Sequence, residues 1–351
     1  MAGSEKSSLL QGILKGVSRS FYLTLWVVPA KVRDPLGLAY LFCRAADTIA
    51  DTDLIPSAER LKYLYLYREQ FQTGVISWPT IAQIQESLVQ HQGSPTERVL
   101  LSRLTDCFRI FKGFSHQDQD RIRNLVSTLT MGMEMDLTCF PPESAGVLKP
   151  LPSGRDLDQY CYYVAGVVGE FWTRMIMAHF PSLEEWDESR MCKLGAHFGK
   201  GLQMTNILKD LAKDLERGRC YLPQDMMNEF GVDPKDLKNP ASVTSLRPLL
   251  VYLIRLTLYH LEGGWQYIVA LPRREVRLRL ACLWPHLFAI RTLVRIYHAN
   301  DLLNPRATVK IIRREVYTTM VLSLVFVFSN SLLTRYYEYL KKGLMSRVVN
   351  E

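Results

Sequence analysis

Paired cysteines are the first thing this chain lacks. Its seven cysteines are scattered over 351 residues and none stands in a CxxC pair. That excludes a disulfide framework and a zinc ribbon, and points to a reducing compartment. Asn-Gly and Asp-Gly dipeptides are missing, and sustained period-two alternation of β-branched residues is scarce, so a sheet built from hairpins is excluded. Neither GxGxxG nor a Walker A sequence occurs, which leaves a dinucleotide-binding fold and a P-loop without support; Gly199-Lys200-Gly201 is too short for either. The seven histidines form no HxxxH or HExxH, so each reads as a structural or surface residue. No repeat recurs at a fixed period. The opening segment, MAGSEKSSLLQGILKG, holds Glu5 and lacks a long apolar stretch before a cleavage site, so no secretory leader is expected.

What is present is a core-forming composition, 48% hydrophobic and 22% charged, which excludes disorder. A net charge of +8 suits a phosphorylated ligand, a nucleic acid or an anionic membrane surface. Helical periodicity dominates. One helix is expected behind Pro56 with Ser57 as its cap, and another from a capping box of Ser182 and Glu185. The Pro-rich stretch 141–152 reads as a loop, and Asn239-Pro240 and Asn304-Pro305 as turns. The expected architecture is all-α and, with no stretch long enough to be a domain linker, one unit over 1–315 followed by an apolar helix and tail over 316–351. Residues 316–334 carry no charge, close to the roughly 20 that a membrane-spanning helix requires.

One short motif occurs twice. In Asp47-Thr-Ile-Ala-Asp51 and Asp210-Leu-Ala-Lys-Asp214 two carboxylates lie at i and i+4, so a helix projects both from one face, where they can share a metal or form a solvated acidic face. Both copies have apolar flanks, where like charges are costly without a compensating cation. Arg44 is three residues before Asp47, and Lys209, Lys213, Arg217 and Arg219 surround the second pair. Carboxylates, a hard cation and guanidinium groups together are the set that holds and ionises a diphosphate.

At these residues the chain resembles the squalene/phytoene synthase family, the head-to-head prenyltransferases of the class I isoprenoid synthase fold. The resemblance runs from Ser18 to about Arg314 through Ser18-Arg19-Ser20-Phe21, Tyr40 to Asp51, Tyr160 to Gly166, and Gln203 to Asp214 followed by Gly218 to Asp225. It implies a helical bundle around a deep apolar cavity, with the two aspartate pairs facing across its mouth. By matching position, Asp47, Asp51, Asp210 and Asp214 would bind Mg²⁺, or Mn²⁺ in its place, with Asn206 as a further ligand and Gln203 assisting. Ser18, Arg19, Ser20, Tyr40, Arg44, Gln203, Asn206, Lys209 and Arg219 would hold substrate diphosphate. Tyr160 would stand beside the first carbocation. Lys209 departs from the arginine usual before this aspartate, a point charge in place of a fork.

The resemblance implies condensation of two farnesyl diphosphates to presqualene diphosphate with release of pyrophosphate. Squalene then follows with NADPH, whereas proton loss gives phytoene or dehydrosqualene and water gives hydroxysqualene. The segments 285–293 and 309–314 look more like squalene synthases, so squalene is the expected product, with Lys310, Arg313 and Arg314 at the NADPH phosphates or forming a solvated basic turn. A non-catalytic assembly factor of the same fold would have lost the metal ligands, and all four aspartates, Tyr160 and Arg44 are present. The stretch from Pro272 to Arg279 is the best candidate for a nucleic-acid stripe, but its apolar interleaving equally suits a helix over a core, and no nucleic-acid partner is expected. Basic flanks around 316–334 predict a protein resting on the cytoplasmic side of a membrane; oligomeric state is left open.

Overall fold

The structure, a computed structural model, describes residues 12–14, 16, 25, 27–52, 54–141 and 146–348, the side chains of 345–348 excepted; Ser18, Arg19 and Ser20 lie outside the described residues. It is 78% helical. The helices are α1 (Ala30–Asp51), α2 (Ser57–Gln72), α3 (Trp78–Val89), α4 (Pro95–Ser102), α5 (Leu104–Lys112), α6 (His116–Cys139), α7 (Gly154–Cys161), α8 (Val167–His179) and α9 (Glu188–Glu216). They continue as α10 (Gln224–Glu229), α11 (Val243–Ala270), α12 (Val276–His298), α13 (Arg313–Phe326) and α14 (Asn330–Val348). Two short strands, β1 (Lys149–Leu151) and β2 (Arg219–Pro223), pair in parallel. The Pro-rich loop expected over 141–152 therefore includes a strand, because Lys149 and Pro150 find register partners in Arg219 and Cys220.

The chain forms two compact units, one of residues 1–137 and 170–186, the other of 138–169 and 187–351. In the first, α1 packs against α2, α4 and α5. The apolar positions of α1 recur at helical spacing, and Leu38, Ala39, Leu41, Phe42, Ala45, Ala46 and Ile49 are fully buried. Phe42 meets Phe71, Phe108 and Phe111 at ring-centroid distances of 5.0, 4.8 and 5.6 Å. Burying one such side chain contributes about 1.5–3 kcal/mol. Arg60 fastens the far end of α1: its Nη1 donates to the Ala50 carbonyl at 2.9 Å, satisfying a helix-end acceptor.

In the second unit α9, α11 and α12 pack on one another, and α13 and α14 lie against α12. Residues 316–334 are not one helix: α13 ends at Phe326 and α14 starts at Asn330. By length and composition Pro240–Ala270 could cross a membrane, yet its helix α11 packs along α9 and α12 with its apolar face in the core. Arg279, in the stretch read as a candidate basic stripe, is fully buried, donating to Leu271 O and Asn330 Oδ1 at 2.6 Å each. Helix α9 begins later than the capping box suggests. Ser182 lies in a 3₁₀ turn, and Asp187 caps the helix by accepting from the Arg190 N–H at 3.1 Å. Ser57 does not cap α2 but is its first residue, with Pro56 in the cap position and no side-chain cap hydrogen bond.

Candidate active site

In the first unit, Tyr40, Arg44, Asp47 and Asp51 follow one another at intervals of four, three and four, so α1 carries all four on one face. Asp51 is the helix's last residue, and no basic residue stands in that final turn. Carboxylates there meet the negative end of the macrodipole, an arrangement that an added cation relieves. Arg44 supplies part of that charge: Nη1 pairs with Asp47 and Nη2 with Glu97 on α4. Burial works against the Arg44 charge, but Asp47 and then Glu97 outweigh it and raise its pKa. Its Nε is buried without a hydrogen-bond partner among the described residues. Burial raises the Tyr40 phenol pKa, with Arg44 opposing. Cys43 is pushed up to about 12, by burial and then by Asp47, so it is an inert thiol. All seven cysteines are free.

The second unit places Gln203, Asn206, Lys209, Asp210 and Asp214 on α9, with Asp214 in its last turns. Gln203, Asp210 and Asp214 are half-buried, and Asn206 is exposed. Lys209 Nζ lies 3.0 Å from Asp210 Oδ2 and donates to Asn206 Oδ1 at 3.2 Å. Lys209, Asp210 and Lys213 line a small cleft with Asp301, Thr308 and Val309, which brings the chain just before Lys310 beside the second pair. Lys310, Arg313 and Arg314 are exposed. After α9, Gly218 takes a φ of 75°, which a side chain would strain, and turns the chain so that Arg219 opens β2.

Tyr160 is buried near the end of α7. Its ring stacks on Tyr221 of β2 at 4.8 Å, and its hydroxyl donates to the Tyr221 hydroxyl at 3.2 Å. Phe140 meets Tyr221 edge-on at 5.1 Å, completing an aromatic box. A π-helical turn follows over Tyr162–Gly166, a widening that often marks functional segments. Helix α9 passes so close to this turn that a Cβ on Gly199 would stand 2.0 Å from the Ala165 carbonyl oxygen. Close packing is thus what Gly199 is for. Lys200 donates to both carboxylate oxygens of Asp158, at 2.7 and 2.8 Å, tying the Tyr160 helix to α9.

Glu97 and Tyr221 are the participants that sequence reasoning overlooks. Glu97 lies 53 residues from Arg44 with no motif of its own. Tyr221 belongs to a recognisable stretch, but nothing in one sequence says that its ring meets Tyr160.

The donor chemistry fits a hard divalent cation. Mg²⁺ takes one or two carboxylates and completes its shell with phosphate oxygens and water, so one aspartate pair is a sufficient share from the protein. Among the described residues no group of three or more His, Cys, Asp or Glu side chains could hold a metal, which leaves the pairs as the candidates.

Helix content, helix order and the two carboxylate helices define an all-α protein of the isoprenoid synthase fold. Residues 14–315 match the family model described as Squalene/phytoene synthase, and the chain belongs to that family. A presqualene diphosphate synthase from Rhodopseudomonas palustris is 29% identical over 76% of this chain and 80% of its own length. A squalene synthase from Eremothecium gossypii is 25% identical over 84% of this chain but 63% of its own. The solved structure of TcSQS with the ligand BPH1237 superposes with a TM-score of 0.79 at 23% identity, covering 98% of this chain and 92% of that one. Proteins named phytoene synthase and dehydrosqualene synthase also match, so family membership leaves several products open. The chain is a prenyltransferase of isoprenoid biosynthesis, and its family acts on prenyl diphosphates with a divalent metal.

Proposed function

We propose that the chain joins two farnesyl diphosphates head to head through presqualene diphosphate and reduces that intermediate to squalene. The observation that carries the reading is the recurrence, in each compact unit, of an aspartate pair near the C-terminal end of a helix with a basic side chain already on it. Mg²⁺ would be held by Asp47 and Asp51 in one unit and by Asp210 and Asp214, with Asn206, in the other, and would supply electrophilic stabilisation of the leaving pyrophosphate. Arg44, with Tyr40 beside it, and Lys209 and Arg219 contact diphosphate oxygens, and Gln203 orients them. Ser18, Arg19 and Ser20 remain proposed for the same role on the family's pattern. The first step forms a carbon–carbon bond and releases pyrophosphate and a proton, which the Tyr160 Oη is placed to accept while its own hydrogen points to Tyr221. The aromatic box keeps water from the cation.

NADPH would supply the hydride needed to convert presqualene diphosphate to squalene. We assign its phosphate contact to Lys310, because the residues just before it line the cleft of Lys209 and Asp210. Incubation with farnesyl diphosphate, Mg²⁺ and NADPH yields squalene on this reading, and Asp47→Ala or Asp210→Ala abolishes pyrophosphate release. Unimpaired release by both variants overturns the site. Phytoene from the longer geranylgeranyl diphosphate, or hydroxysqualene regardless of NADPH, overturns the product.

A further inference from the structure

A cleft of about 670 Å³ opens along the first half of α11, and none of its lining residues belongs to the site described above. Its volume is that of a small-molecule site. Thr244, Arg247, Pro248, Tyr252 and Arg255 recur at helical spacing, so one face of α11 makes its floor. Phe230, just after α10, and Asn300, just beyond α12, stand as its walls.

Three kinds of group meet there. The first is positive charge: Arg247 and Arg255 line the cleft, and no acid does. Arg247 is fixed in place, donating from Nη1 to the Tyr297 carbonyl and from Nη2 to the Ala299 carbonyl at 3.0 Å and Asn300 Oδ1 at 3.4 Å. These partners are neutral, so its charge is left for a ligand. Arg255, two turns on, is exposed and has no hydrogen bond or ion pair among the described residues. The second is aromatic surface. Tyr252, between the two arginines, is 41% exposed, and the Phe230 ring lies 5.5 Å from it at 45°, which offers two faces to a flat ring. The third is hydrogen bonding. Pro248 stands inside the helix and has no N–H to give the Thr244 carbonyl four residues back, so an acceptor is left at the cleft. Asn300 turns its Oδ1 to Arg247, which leaves its Nδ2 to donate.

This combination selects among anions. Inorganic phosphate uses the arginines alone, and an isoprenoid diphosphate has no aromatic ring to stack. A nucleotide has the anion for Arg, the flat base for Tyr and Phe, and the ribose and base N–H and O–H groups for a carbonyl.

We propose that this cleft is a binding site for a purine nucleoside diphosphate, separate from the cleft beside Lys310, with the base against Tyr252 and Phe230, Arg255 closing on the phosphates and Arg247 as a fixed charge beneath them. Titration calorimetry of the full chain with ADP and with inorganic phosphate, in EDTA so that the aspartate pairs hold no metal, tests it. The wild type binds one ADP per chain and inorganic phosphate at least tenfold more weakly. Tyr252→Ala and Arg255→Gln each weaken ADP binding about tenfold with the thermal midpoint unchanged, since both side chains are exposed. Lys310→Gln binds ADP as the wild type does. A wild type that does not bind ADP overturns the proposal, and so do cleft variants that bind it undiminished. Phosphate binding as tight as ADP binding makes the cleft a plain anion site and overturns it too. Binding lost in Lys310→Gln but kept in both cleft variants puts the nucleotide beside Lys209 instead, which ends this proposal and leaves the NADPH reading standing.

Discussion

Asp47 and Asp210 are each paired in the free protein with a cation from their own helix, Arg44 and Lys209. Replacing either by Asn keeps the shape and removes the charge. The expected loss in pyrophosphate release is about 10²- to 10³-fold or more, with the thermal midpoint little changed, since each aspartate's ion pair is partly exposed and contributes little. Calorimetry and a coupled pyrophosphate assay on the same preparation check both halves. Tyr160→Phe removes the oxygen proposed to accept the proton but keeps the stack on Tyr221, so on that proposal turnover falls by about 10²-fold while KM moves little. A Tyr221→Phe enzyme keeps the Tyr160 hydroxyl and loses less. If the two variants are equally impaired, Tyr160 acts only through packing.

The approach of α9 to the π turn makes Gly199 the position where the fold is least tolerant. Gly199→Ala sets a methyl 2.0 Å from a backbone oxygen that no rotamer change can move, so it costs at least about 1–3 kcal/mol, measured by urea denaturation. Where α9 meets α11, His197 and His260 share a contact at 3.0 Å between their Nδ1 atoms. Burial lowers the His260 pKa from 6.5 to about 4, helped by His197 and Lys200 and opposed by Asp158. The unfolded chain therefore binds more protons than the native one between those values. Stability is full above about pH 6.5 and is lost as pH falls toward 4, and His286, lowered by burial to about 3, extends the loss. A thermal midpoint that falls across this window, with a shallower fall in His260→Asn, is the expected outcome; a midpoint independent of pH from 7 to 4 contradicts it. Helix identity was legible from periodicity, because α1, α2 and α9 bury apolar residues at helical spacing. Helix starts were less so: Asp187 outcompeted Ser182 as a cap, and β1 arose only because Arg219 and Cys220 offered partners 70 residues away.

At the scale of the whole molecule, the aspartate pairs and Arg44 stand out in the sequence because their spacing is local to one helix each, whereas Tyr160 stands out only through its family motif. Glu97 and the Tyr221 ring could not, since tertiary packing alone brings them to Arg44 and Tyr160. The charge-free run 316–334 left a spanning helix open in the sequence, because hydropathy does not register the break between α13 and α14. The excess of eight positive charges is spent partly beside the aspartate pairs and partly at the head of α13. The central claim concerns product. Mass spectrometry of the hydrocarbon formed from farnesyl diphosphate, Mg²⁺ and deuterated NADPH tests it most directly. Squalene carrying one deuterium is the predicted result, with presqualene diphosphate accumulating when NADPH is withheld; dehydrosqualene or hydroxysqualene without deuterium would contradict it.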